Sequence, residues 1–109
     1  MTDSHADQET VEAIRTLAEK PELVRVTRRA QYDLWGEHLT KDDICREVIA
    51  WIEAGKPVEK IITAHVAEFM GDPAYVIKPE INGREFYIKV TIVNRDEWNE
   101  VLLIISTHP

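Results

Sequence analysis

The chain has 109 residues, 44% of them hydrophobic, with four Gly, five Pro, a single Cys and a formal net charge of −7. That composition is one globular domain with one ordinary core, and it excludes a disordered or collagen-like chain. No apolar run approaches the roughly 18 residues of a membrane-spanning helix, and Cys45 alone cannot form an intramolecular disulfide.

The polar, acidic start Met1–Asp7 lacks the basic and apolar regions of a signal peptide, so a cytosolic protein with no membrane partner is expected. Residues 1–22 carry six acids against two bases, and the overall acidity is unfavourable for binding nucleic acid. Arg25, Arg28 and Arg29 nevertheless stand together with no acid between them, which leaves room for a local basic surface.

In chain order, Gln8–Lys20 reads as a helix, with Val11, Ile14, Leu17 and Ala18 at helical spacing, acids early and Lys20 last, stopped by Pro21. Leu23–Thr27 is short and β-branched, an edge strand or an extended lead-in to the next helix. Arg28–Glu37 reads as a second helix, with Ala30 and Leu34 inward and Tyr32 or Trp35 alongside. Thr40–Ala54 is the clearest helix: Thr40-Lys41-Asp42-Asp43 has the form of a capping box with Asp for Glu, Ile44, Val48, Trp51 and Ile52 make the buried stripe, and Gly55 and Pro57 end it. Val58–Thr63 suggests a strand, and Ala64–Asp72 suits either a helical turn or a loop.

The last third is built on Asn82-Gly83, the strongest short-range hairpin signal, because both central residues must take positive φ. Ala74–Lys78 precedes it; Glu85–Val93 and then Val101–Ser106 follow. Helices first and antiparallel strands last make the expected class α+β: two to three N-terminal helices packed on a C-terminal antiparallel sheet of three to four strands. Alternation along Glu85–Val93 sends Phe86, Ile88, Val90 and Ile92 to the helices, and Tyr87, Lys89, Thr91 and Val93 to the other face.

That second face, with Lys78 across the turn, Arg84 at the start of the strand and His108 after the last strand, combines phenol, ammonium, guanidinium and imidazole groups. Cleavage of RNA through its 2′-hydroxyl needs a base, cations for the phosphorane charge and an acid for the leaving oxygen, and these groups supply all three. The competing account is an ordinary solvated sheet face with a frayed terminal histidine. His65 lacks the partners of a zinc site, and no metal or cofactor motif occurs. Cys45 beside Ile44 is a structural thiol. Trp51 lies on the core stripe, and Trp98 in its charged loop is the exposed aromatic candidate.

With these motifs in place, the chain resembles the MqsR branch of the RelE-like bacterial toxins. Val24-Arg25-Val26-Thr27-Arg28-Arg29-Ala30 is similar to the family's "Val-Arg-x-Thr-Arg-x-Ala" start, and Tyr87–Ile92 with Val101–Ser106 to its closing strands. The similarity covers residues 23–108; the acidic helix of residues 1–22 matches only loosely. The resemblance implies a cytoplasmic mRNA endoribonuclease of a toxin–antitoxin system, working without metal or cofactor. Its partners would be mRNA or ribosome-associated RNA and a cognate antitoxin, with a homodimer left open.

The family's catalytic Tyr falls on Tyr87, a functional Lys on Lys60, and a Lys after the last strand on His108. Arg25, Arg28, Arg29, Arg84 and Lys89 would hold RNA. A Gln expected in mid-chain has no counterpart. The runner-up reading is a catalytically silent protein-binding module or inhibitor on the same fold, motivated by the charge of −7.

Overall fold

A computed structural model of the chain describes residues 5–62, 73–94 and 100–109. The expected Ala64–Asp72 segment, with His65, and residues 95–99 of the last loop, with Trp98, lie outside the described residues.

Three helices come first, each held by the cap its sequence provides. Helix α1 (Gln8–Ala18) starts at Asp7, whose carboxylate accepts from Thr10 N–H at 2.8 Å. It buries Ile14, Leu17 and Ala18. Helix α2 (Arg28–Gly36) starts at Thr27, whose hydroxyl accepts from Ala30 N–H at 3.2 Å. Helix α3 (Lys41–Glu53) opens with the expected capping box: Thr40 accepts from Asp43 N–H at 3.2 Å, and the Asp43 carboxylate accepts from Thr40 N–H at 2.9 Å. Two orphan donors of the first turn are thereby satisfied by two short side chains. Gly55, at φ 75°, ends α3 in the left-handed conformation that glycine takes most readily.

The strands are β1 (Val24–Val26), β2 (Glu59–Ile62), β3 (Pro73–Ile77), β4 (Glu80–Ile81), β5 (Arg84–Glu85), β6 (Tyr87–Asn94) and β7 (Glu100–His108). Five of them form one sheet in the order β1-β7-β6-β3-β2. Every pairing is antiparallel except β1 with β7, which is parallel. The class is α+β, but the sheet is mixed and has five strands rather than three to four antiparallel ones. The difference is Val24–Val26: a three-residue strand carries too little periodicity to reveal its partner, and its long connection to β7 permits a parallel neighbour.

Asn82 and Gly83, at φ 53° and 80°, form the expected tight turn, but it joins only the small separate ribbon β4–β5. Pro79 interrupts the longer hairpin: it has no N–H for the ladder, and its carbonyl accepts from Phe86 N–H at 2.8 Å. Beyond that corner, β3 and β6 pair directly, with Tyr75 opposite Val90 and Ile77 opposite Ile88.

The core lies between the helices and one sheet face. It joins Ile14, Leu34, Ile44 and Val48 to Val24, Ile77, Phe86, Ile88, Leu102 and Ile104. The inward face expected for Phe86, Ile88 and Val90 is therefore present, with Ile92 partly buried beside it. On α2, Ala30 and Leu34 point inward as expected, whereas Tyr32 and Trp35 are each 62% exposed. Trp51 is only half-buried; its indole N–H donates to Pro57 O at 2.9 Å, and the Lys56 ammonium lies 4.9 Å from its ring centre. Among the described residues no helix is long and apolar enough to cross a membrane.

Ile104 is fully buried, and Ile104→Ala should lower stability by about 2–5 kcal/mol in urea denaturation; Thr40→Ala, which removes the α3 cap, should lower it by about 1 kcal/mol. The Asp43 carboxyl is held below its ordinary value of 3.8, first by the Thr40 N–H and further by the Thr40 side chain and Arg46. Its contribution is thus present above pH 3.8 and lost as pH falls through the lowered value, so Asp43→Asn should flatten the acid limb of a stability profile.

Candidate functional site

The face of the sheet turned away from the helices carries the polar cluster, and the strand register builds it. In β6, Tyr87 lies opposite His108 and Lys89 opposite Ser106. On the other side of β6, Val76 of β3 lies opposite Lys89, and Glu59 of β2 lies opposite Val76. Glu59, Val76, Lys89 and Ser106 therefore form one row across four strands, with Tyr87 and His108 in the next.

A β-bulge decides this arrangement. Lys89 pairs with Ser106 but Val90 pairs with Ile104, so β7 holds one extra residue, Ile105, at that step. In a regular strand Leu102, Ile104, Ser106 and His108 would share a face. Leu102 and Ile104 are fully buried in the helix-facing core, so regular alternation would carry His108 there too. The bulge reverses the alternation and turns His108 toward Tyr87, a re-aiming that bulges commonly perform. Thr107 then faces the helices, fully buried, its hydroxyl donating to Ala30 O at 3.3 Å.

The Tyr87 and His108 rings stack, with centroids 5.3 Å apart and planes 17° from parallel. In the tautomer whose Nδ1–H donates to Pro109 O at 3.2 Å, His108 Nε2 is left as an acceptor. Burial pushes the Tyr87 phenol above its ordinary value of 10.0, and the nearby Glu59 carboxylate pushes it further. Tyr87 is the neutral phenol at neutral pH, able to donate a hydrogen bond, and the raised pKa makes it a weaker acid. Beside the row lies a cleft of about 280 Å³ lined by His5, Glu59, Lys78 and Glu85 among others. The face is not uniformly wet, since Ala74, Val76, Thr91 and Val101 are buried.

Comparison of the chain with known protein families, with curated proteins and with solved structures finds no match. The site therefore rests on its own geometry.

That geometry joins some of the sequence-derived candidates and separates others. Tyr87, Lys89 and His108 share one face. Lys60 does not join them: it lies opposite Tyr75, which packs in the helix-side core, and its charge acts on Asp7 at the start of α1. Arg25 shares the Tyr87 face by register, opposite Leu103, but its guanidinium donates to Glu22 O at 2.7 Å and Val24 O at 3.2 Å. Arg84 lies on the β4–β5 ribbon, ion-paired with Glu37 and 5.8 Å from the Phe86 ring centre. Arg28 and Arg29 are exposed in the first turn of α2, on the helix layer.

Glu59 and Ser106 were not singled out from sequence. Alternation in Val58–Ile62 separates Glu59 from Lys60, but only the pairing with β3 reveals which of the two shares a face with Tyr87. Among the described residues, no three His, Cys, Asp or Glu side chains gather as metal ligands. Cys45 is buried in α3, and burial raises its thiol pKa, which suits a structural rather than a nucleophilic role.

Because Glu59 is the second cause of the Tyr87 shift, Glu59→Gln should move the phenol pKa down toward 10.0 without abolishing the elevation due to burial. Ultraviolet phenolate titration in a Tyr32→Phe, Tyr75→Phe background would read Tyr87 alone. The same elevation places the Tyr87 contribution to stability below pH 10.0, to be lost as pH rises through the raised value.

Proposed function

We propose that this chain is a RelE/MqsR-like ribonuclease domain, the toxin component of a cytoplasmic toxin–antitoxin pair, cleaving mRNA by acid–base chemistry through the 2′-hydroxyl without a metal. The observation that carries the reading is the Tyr87–His108 stack, with Lys89 two residues along the same strand face. The order of helices first and strands last supports it as well.

The roles we assign differ from those first expected from the sequence and its resemblance, in which Tyr87 helps activate the 2′-hydroxyl and His108 acts as the acid. At neutral pH Tyr87 is the neutral phenol, which carries a proton it can donate and is not populated as the phenolate base. We therefore assign proton abstraction to His108 Nε2 and donation toward the phosphate or the leaving 5′-oxygen to Tyr87. The 2′-oxygen attacks phosphorus as His108 takes its proton; the 5′-oxygen leaves with a proton from Tyr87; the products are a 2′,3′-cyclic phosphate and a free 5′-hydroxyl. Lys89 supplies the positive charge next to the phosphorane. Lys60, Arg84, Arg28 and Arg29 have no part in this step, because the fold holds them elsewhere. An antitoxin would neutralise the domain by covering the Tyr87–His108 face.

The test is cleavage of a short single-stranded RNA by the purified chain in the presence of a chelator. Wild type should yield cyclic-phosphate ends, and substitution of 2′-deoxyribose at the cut site should abolish cutting. Tyr87→Phe and His108→Ala should each lower the single-turnover rate about 100- to 10,000-fold, the range of a general acid or base. Lys60→Ala should leave the rate unchanged. Intact RNA with wild type, or equal rates in all variants, would rule the proposal out.

A further inference from the structure

We infer that the outer side of α2 is a docking groove for an acidic peptide segment of a protein partner, one carrying a large apolar side chain beside its carboxylates. The groove has a volume of about 360 Å³ and is lined by Val26, Arg28, Gln31, Tyr32 and Trp35. It lies on the helix layer next to β1, an edge strand of the sheet, on the opposite side from Tyr87 and His108. The inference does not depend on the chemistry proposed for that face.

Four observations lead to this occupant. Tyr32 and Trp35 are the exposed large hydrophobic residues among the described ones, at 62% each, and they lie together, with ring centres 5.6 Å apart. Adjacent exposed aromatics in an otherwise well-buried apolar set mark a surface that meets a partner. Second, Trp, Tyr and Arg, three side-chain types that dominate binding energy at protein interfaces, here share one small concavity.

Third, the local charge is opposite to that of the chain. Arg28 and Arg29 occupy the first turn of α2, which has no acidic residue, and no carboxylate among the described residues pairs with either. Cations at a helix N-terminus oppose the helix dipole, so helix stability does not account for them. A ligand carboxylate beside Arg28 would supply the missing counter-charge, with bidentate geometry open to it.

Fourth, the ring geometry selects a peptide over RNA. The rings meet edge to face at 84°, which makes a corner with Val26 rather than a ladder of parallel faces. A corner holds one branched or aromatic side chain, whereas single-stranded RNA needs successive open ring faces and a sustained cationic track.

The test uses fluorescein-labelled hexapeptides that combine Asp and Glu with Leu, Ile, Phe or Trp. The comparison set replaces the acids with Lys or the apolar residues with Ser, and oligouridylate is titrated alongside. Binding to the 109-residue chain is followed by anisotropy. Acidic–apolar peptides should bind at least about tenfold more tightly than either control set, and Trp35→Ala and Arg28→Glu should each weaken them by about tenfold or more, the loss expected of hot-spot side chains. Far-ultraviolet circular dichroism should show both variants folded, since the two side chains lie on the surface. Tyr87→Phe should leave peptide affinity unchanged. The inference is overturned if the control peptides bind equally, if oligouridylate binds in a Trp35-dependent way, or if Trp35→Ala instead dissolves a dimer of the chain.

Discussion

Strand β7 carries the constraint on which the rest of this structure depends. It is paired on both sides, parallel to β1 and antiparallel to β6, and it lies beneath α1 and α2. It buries Leu102 and Ile104 fully against the helices, each worth about 1.5–3 kcal/mol relative to exposure. It also delivers His108 to the opposite face. A strand with strict two-residue alternation cannot satisfy both demands at this spacing. The extra residue at Ile105 reconciles them, and the pairing of Lys89 with Ser106 and of Val90 with Ile104 records where the alternation reverses.

The same region ties the helix layer to the sheet. Thr27 caps α2 through its hydroxyl, which also donates to Ile105 O at 3.2 Å, while Thr27 N–H donates to Ile104 O at 3.0 Å. Thr107 adds a bond to Ala30 O from the other direction. The start of α2 is therefore bonded to β7 around the bulge, and its outward-facing residues, Arg28, Tyr32 and Trp35, are held at a set position beside β1. The two candidate surfaces, one on each side of the sheet, share this mechanical base but no side chain.

Electrostatics distinguishes the two faces. Near Tyr87 one cleft brings Glu59 and Glu85 together with Lys78, and burial, reinforced by the Glu59 carboxylate, raises the pKa of the half-buried phenol. That arrangement suits proton transfer better than attraction of a polyanion from a distance, and it is consistent with a chain whose overall charge is −7. At α2 the imbalance is purely local, two arginines with no carboxylate partner among the described residues beside two exposed rings.

Short-range features of this protein were determined by its sequence alone. The capping box at Thr40 and Asp43, the Gly55 stop and the Asn82-Gly83 turn rest on interactions within a few residues, and the alternation of Phe86, Ile88 and Val90 marks one apolar face of β6; each was legible. What the tertiary structure decided was long-range. Whether Val24–Val26 pairs parallel to β7 depends on a neighbour more than seventy residues away. Val101–Ile105 is apolar throughout, so no alternation was present to betray a bulge or the face of His108. Glu59 rather than Lys60 shares the Tyr87 face because the register with β3 sets it there. Tyr32 or Trp35 was expected alongside Ala30 and Leu34, and the placement of Ala30 and Leu34 against β7 turns both rings outward. In each case the reason is the same: local propensity and period set the element, while register and facing come from the partner it meets in space.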